Sequence, residues 1–167
     1  MKRSSWLVFL FLMGCQMLLA LPASAATIYV PSGAITTIQD GIDAASNGDT
    51  VIVRDGIYPG GINFNGKLIT VKSENGPQNC IIDGGDSTLG VTFTKGETSE
   101  ARLEGFTIRN CRSTEGGGIH LESHSSPTIA NCIITGTIPI IGAEASTATI
   151  PPPRSPTVPS RATWLLV

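Results

Sequence analysis

The chain is poor in charge and in aromatic rings. Only 14% of its 167 residues are charged and 5% are aromatic. So little charge excludes a highly charged disordered chain, and the composition excludes a coiled coil and a collagen-like fibre. No basic excess is present either: 11 Lys and Arg stand against 13 Asp and Glu, a net charge of −2, so nothing points to nucleic acid. What is there is 41% hydrophobic content and 19 glycines, enough for one domain that turns often and packs small aliphatic side chains.

The long apolar run lies at the start. Lys2 and Arg3 precede apolar residues from Trp6 to Leu21, interrupted by Gly14 and Gln16; Pro22 breaks the run and Ala23-Ser24-Ala25 follows. A positive start, an apolar centre and a small-residue site form the pattern of a secretory signal peptide, with cleavage expected after Ala25 and a secreted or cell-surface destination. The run is short for a membrane-spanning helix, so no stable span is expected after cleavage. Lipid attachment at Cys15 is the other alternative, but Met13 fits a lipobox poorly and the apolar run continues past Cys15. Cleavage removes Lys2 and Arg3, leaving nine basic and 13 acidic residues and a net charge of −4. It also leaves Cys80, Cys111 and Cys132, an odd set that cannot all pair internally.

A repeat runs through the middle. Asn79-Cys80-Ile81-Ile82 recurs 52 positions later as Asn131-Cys132-Ile133-Ile134, and the halfway segment is Phe106-Thr107-Ile108-Arg109-Asn110. A period of 26 puts Cys80, Phe106 and Cys132 in one column and Ile82, Ile108 and Ile134 in a second. Alternate strand residues share a face, so both columns can point into one core. The column after that reads Gly84, Asn110, Gly136, residue types that readily take positive φ. A strand and a bend in each repeat, with an apolar face that one repeat cannot bury, predict coils stacked about 4.8 Å apart in a parallel β-helix. Thr50–Arg54, Leu68–Lys72, Gly90–Phe93 and Ile119–Leu121 are read as further strands, with uneven separations such as 22 from Ile69 to Val91 and 28 from Val91 to Ile119. Residues 36–48 read as a helical cap over the first coil. Thr37 caps it with Asp40 three places on, Ile38, Ile42 and Ala45 form one stripe, and Asn47-Gly48 ends it.

Ile28-Tyr29-Val30, the helix with Ala44-Ala45, then Gly48-Asp49-Thr50-Val51-Ile52-Val53 and Gly56-Ile57-Tyr58 resemble the N-terminal opening of right-handed parallel β-helix proteins of the pectin-lyase-like group. Gly116-Gly117-Gly118-Ile119 and Ser126-Pro127-Thr128-Ile129-Ala130-Asn131-Cys132 look like the repeats of its secreted bacterial members. The resemblance covers residues 27–136. It implies a right-handed β-helix of about four coils over residues 26–136 and leaves activity open, because the fold hosts lyases, hydrolases and adhesins.

After Gly136 the pattern stops. Six of the eleven prolines lie between Pro139 and Pro159, and proline is excluded from central strands. Shifting the reading frame by one base lets the codons of Ala143–Ser146 encode Gly-Gly-Gly-Ile. Those of Pro153–Val158 then permit Pro-Thr-Ile-Thr-Asn-Cys, 26 positions beyond Pro127–Cys132. Residues 137–167 are therefore read as an irregular, out-of-frame tail from a frameshift near Thr137, with a Pro/Thr/Ser-rich linker as the alternative. Such a truncation predicts a last coil without its cap and a tendency to aggregate.

The candidate chemistry is thin. Asp83 and Arg109, 26 apart, are expected as vertical neighbours that a polysaccharide lyase could use, the acid for calcium and the base for proton abstraction. A third acid is missing, since that column holds Thr135, so a surface ion pair is the preferred reading of the two. Asp83 and Asp86 in Asp83-Gly84-Gly85-Asp86 are calcium candidates short of the six to eight oxygens calcium takes. His120 and His124 are read as surface residues, Cys80 and Cys132 as apolar core groups, and Cys111 as a free thiol. The functional expectation is a secreted β-helix scaffold that contacts extracellular polysaccharide and lacks intact catalysis. The alternatives are a pectate-lyase-like polysaccharide lyase and a fragment of an adhesin or autotransporter passenger.

Overall fold

The computed structural model describes residues 24–112, 117–136 and 163–166, the last four by backbone alone. The expected signal segment 1–25 and tail 137–167 therefore lie mostly outside the described residues. The chain starts with β1 (Thr27–Val30) and one helix, α1 (Ile38–Ala44), then passes through β2 (Thr50–Val53), β3 (Gly56–Pro59) and β4 (Ile62–Asn63). The next coil holds β5 (Thr70–Ser73), β6 (Cys80–Asp83) and β7 (Val91–Phe93), and the third β8 (Arg102–Glu104), β9 (Thr107–Arg109) and β10 (Ile119–Leu121). β11 (Thr128–Ala130), β12 (Cys132–Thr135) and β13 (Thr163–Leu166) complete it.

These strands stack into three parallel sheets, β1-β2-β5-β8-β11, β4-β7-β10 and β3-β6-β9-β12, giving a solenoid of about four turns. Each coil thus has three sides. The internal files follow the predicted period. Ile82 is level with Ile108, and Ile108 with Ile134, while Cys80, Phe106 and Cys132 are all fully buried. The files extend backward to Gly56 and Tyr58 with a spacing of 24. The inner face of the first sheet carries Val51, Val71 and Leu103 in register, and Phe64 and Phe93 pack under the β4-β7-β10 sheet with ring centroids 4.3 Å apart. Short strands of this kind have no stable fold alone; burying one continuous file of side chains is what holds neighbouring coils together.

Several expectations change. The separation of 22 from Ile69 to Val91 joins two different sides of the coil, because Val71 pairs with Leu103 whereas Val91 pairs with Ile62 and Ile119. In the bend column, Asn110 and Gly136 do adopt positive φ, 52° and 67°, but Gly84 does not; its neighbour Gly85 does, at 59°. Gly84 is needed for space instead, since a Cβ there would lie 2.8 Å from the Asn110 carbonyl oxygen and 2.9 Å from Cys111 Sγ. The helix carries the expected capping box between Thr37 and Asp40 but ends at Ala44, before Asn47-Gly48. The tail contributes one described strand, β13, antiparallel to β12, so backbone pairing covers the last coil on that side. β10 and β11 end the other two sheets.

Candidate functional site

The outward residues of the third-listed sheet place the sequence candidates together. Pro59, Asp83, Arg109 and Thr135 are level on successive coils. Arg109 Nε donates to Asp83 Oδ2 at 2.8 Å, and Asn110 Nδ2 lies 3.2 Å from both carboxylate oxygens. The Gly85 N–H donates to Asp83 Oδ1 at 3.0 Å. That turn amide, ahead of Arg109 and Asn110, holds the Asp83 carboxyl below its ordinary pKa against a smaller opposing effect of burial. The Arg109 cation and the neutral N–H donors of Gly85 and Asn110, which calcium would have to displace, already occupy Asp83. Asp86 sits beyond the bend and faces Arg112 at 3.4 Å, both side chains well exposed. The expected vertical pair is therefore formed, while the two aspartates each face their own arginine. No group of three or more His, Cys, Asp or Glu suited to a metal occurs among the described residues.

The histidines divide. His124 is exposed in the Ser123-His124 turn, where both residues have positive φ. His120 is corrected from a surface to a buried residue, 6% exposed, with Nε2 2.9 Å from Glu122 Oε1. It lies level with Thr92 on a strand whose residues are buried on both faces, as on β7. The three described cysteines are free and buried. Burial pushes the Cys80 thiol up to about 12 and those of Cys111 and Cys132 to about 11, which makes them packing groups and not nucleophiles.

Sequence reasoning missed Glu97. Its side chain is 1% exposed, and its carboxylate accepts from Gly66 N at 2.8 Å, Lys95 N at 3.0 Å and Ser125 Oγ at 2.8 Å. Burial raises its pKa, but hydrogen bonds from Lys95, its own backbone, Ser125 and Gly66 outweigh that and hold it below the ordinary glutamate value. One carboxylate thus clamps turns from three successive coils.

A second outward surface belongs to the first sheet. Thr27, Thr50, Thr70, Arg102 and Thr128 are level across five strands. Beside them runs Tyr29, Ile52, Lys72, Glu104 and Ala130. A cleft of about 500 Å³ opens next to the threonines, lined by Asn47, Gly48, Leu68, Thr70 and Glu100. No sequence signal singled out this row, because its members are 20 to 32 residues apart and no fixed period links them.

No protein-family model, no curated protein and no solved structure matches the chain. No helix among the described residues is long and apolar enough to cross a membrane.

Proposed function

We propose that the protein is an exported β-helix scaffold that holds an extracellular polysaccharide along its side, without catalysis of its own. The observation that carries this reading is the level row of Thr27, Thr50, Thr70, Arg102 and Thr128 beside the cleft of Asn47, Thr70 and Glu100. Hydroxyl, amide and charged groups recur there at the strand spacing of about 4.8 Å. An extended chain of repeating hydroxylated units presents donors and acceptors in the same periodic way. The resemblance of residues 27–136 to pectin-lyase-like proteins supports polysaccharide over other repetitive ligands. Residues 1–25 support export.

Electrophoresis through gels containing polygalacturonate or a neutral glucan tests it. Retardation by one of them, weakened several-fold in a Thr50→Val, Thr70→Val double variant, is expected. Equal mobility in every gel would sink the reading.

The Asp83–Arg109 pair favours a second reading, a pectate-lyase-like enzyme. Against it, the Arg109 Nε is committed to Asp83. A calcium-dependent rise in ultraviolet absorbance on polygalacturonate, lost in Arg109→Ala, would replace the scaffold reading with the lyase.

A further inference from the structure

Asp49 is a nearly buried carboxylate, 8% exposed, at the corner where the first strand joins the solenoid. Its Oδ1 accepts from the Ala26 N–H at 2.7 Å and its Oδ2 from the Ser46 N–H at 2.8 Å. Among the described residues no Lys or Arg forms an ion pair with it. The corner is fixed by backbone: Thr50 N donates to the Ala26 carbonyl at 2.9 Å, Thr70 N to the Asp49 carbonyl at 3.0 Å, and Gly48 N to the Leu68 carbonyl at 2.8 Å. Ser24, Ala25 and Ala26 are exposed and precede β1. Ala26 is also the residue that follows the small-residue site Ala23-Ser24-Ala25.

We infer that Asp49 receives the new N-terminal ammonium of the processed chain: cleavage after Ala25 converts the Ala26 amide donor into a cation already aimed at Asp49, and the resulting ion pair locks β1 onto the solenoid. The inference rests on the export reading above. Before cleavage the carboxylate has two neutral N–H donors. After cleavage one of them becomes an ammonium with three protons, and a carboxylate has about four acceptor positions for them. A hydrogen bond between ionised partners is roughly twice as strong as a neutral one. The existing geometry needs no rearrangement, since Ala26 is held through its carbonyl by Thr50 and not through the residues that leave. The two amides of Ser46 and Ala26 already keep the Asp49 carboxyl below its ordinary pKa, against a smaller effect of burial, so the acceptor is charged when the cation appears. Glu100 lines the neighbouring cleft with Asn47, Gly48, Leu68 and Thr70 and adds potential of the same sign, while Lys67, whose Nζ donates to the Ala45 carbonyl next to Ser46 at 2.8 Å, adds potential of the opposite sign.

The test uses a chain that begins at Ala26, with its amine free or Nα-acetylated, in the native and Asp49→Asn backgrounds. Acetylation is expected to lower the melting temperature by several degrees in the native chain and to change it little in Asp49→Asn. The Ala26 amine, followed by nitrogen NMR, is expected to titrate above the usual value of about 7.7–8.0. That titration is read in the native chain, so it stands even where Asp49→Asn fails to fold. Equal effects of acetylation in both backgrounds, or an amine with an ordinary pKa, would overturn the pair. N-terminal sequencing of the exported full chain separates the two levels. A start at Ala26 supports both, and any other start refutes the cleavage position and removes the pair from the mature protein whatever the stability comparison gives.

Discussion

The two ends of the solenoid are closed by different means. At the N-terminal end α1 is wedged across the first coil, with Ile38, Ile42 and Ala45 buried. Its fit is tight: a Cβ on Gly41 would lie 2.7 Å from Val30 Cγ2 and 2.9 Å from Val51 Cγ1. Lys67 then reaches back from the turn after β4, its Nζ donating to the carbonyls of Ile42, Asp43 and Ala45 at 2.7–2.8 Å. A cation there satisfies orphan carbonyls and faces the negative end of the helix dipole. At the other end the last coil offers only half-buried residues on β11, Ile129 among them. Its closure among the described residues is the backbone pairing of β12 with β13. Repetition builds the shaft, but an end has to be made from sequence that does not repeat.

The sharpest way to break this contrast is to delete one isoleucine from each end. Ile42→Ala removes a fully buried side chain under the cap and is expected to cost about 2–5 kcal/mol. Ile129→Ala removes a half-buried one and is expected to cost about 1 kcal/mol. Denaturant unfolding of both variants measures the difference. Equal losses would mean that the C-terminal coil is packed as firmly as the capped one.

The sequence exposed whatever is periodic or local. Cys80, Phe106 and Cys132 announce their file because the loops between β6, β9 and β12 have equal length. The capping box shows because Thr37 and Asp40 are three residues apart. The three-sided coil is hidden, since the connections to β4, β7 and β10 differ in length and scramble the period. The vertical pair of Asp83 and Arg109 was legible from the same 26-residue spacing. Glu97 was not, because the groups that satisfy it come from Gly66 and Ser125, 31 and 28 residues away, and nothing in Lys95-Gly96-Glu97 distinguishes a buried acid from a solvated turn. The buried state of His120 is equally silent, as its strand alternates like any half-exposed one.

Glu97 tests whether the middle of the shaft depends on its turns as well as its files. In Glu97→Gln the amide NH2 must face either Gly66 N–H or Lys95 N–H, so one buried donor loses its acceptor. The expected cost is about 1–3 kcal/mol. The pH dependence has a definite sign. The folded pKa lies below the unfolded one, so the contribution of Glu97 is complete above the ordinary glutamate value of about 4.3 and is lost as pH falls through the folded value. As pH falls from about 5 through the folded value, the native chain should therefore lose stability more steeply than Glu97→Gln. Parallel curves would show that folding does not lower the Glu97 pKa, and a native chain that gains on Glu97→Gln as pH falls would show the carboxyl protonated in the fold.

The smallest effect belongs to the pair that the sequence made most conspicuous. Arg109 and Asp83 touch at 2.8 Å, but their side chains are 37% and 21% exposed. Water and salt screen an ion pair in that position, and holding a long arginine in one rotamer opposes the gain. Arg109→Met keeps much of the side-chain volume and removes the charge, and is expected to cost about 0–1 kcal/mol, shrinking further as salt is raised. Asp83→Ala should cost more than Arg109→Met, because it also strips the Gly85 N–H of its acceptor at the bend. The acid-side behaviour follows Asp83 and not Arg109: its pKa is lowered in the fold, so its stabilisation is present above the ordinary aspartate range and disappears as pH falls through the folded value. Urea unfolding of the two variants at low and high salt orders these contributions. A loss of several kcal/mol in Arg109→Met, insensitive to salt, would show that this exposed side of the coil carries as much stability as the buried files, and the distinction between shaft and surface would fail.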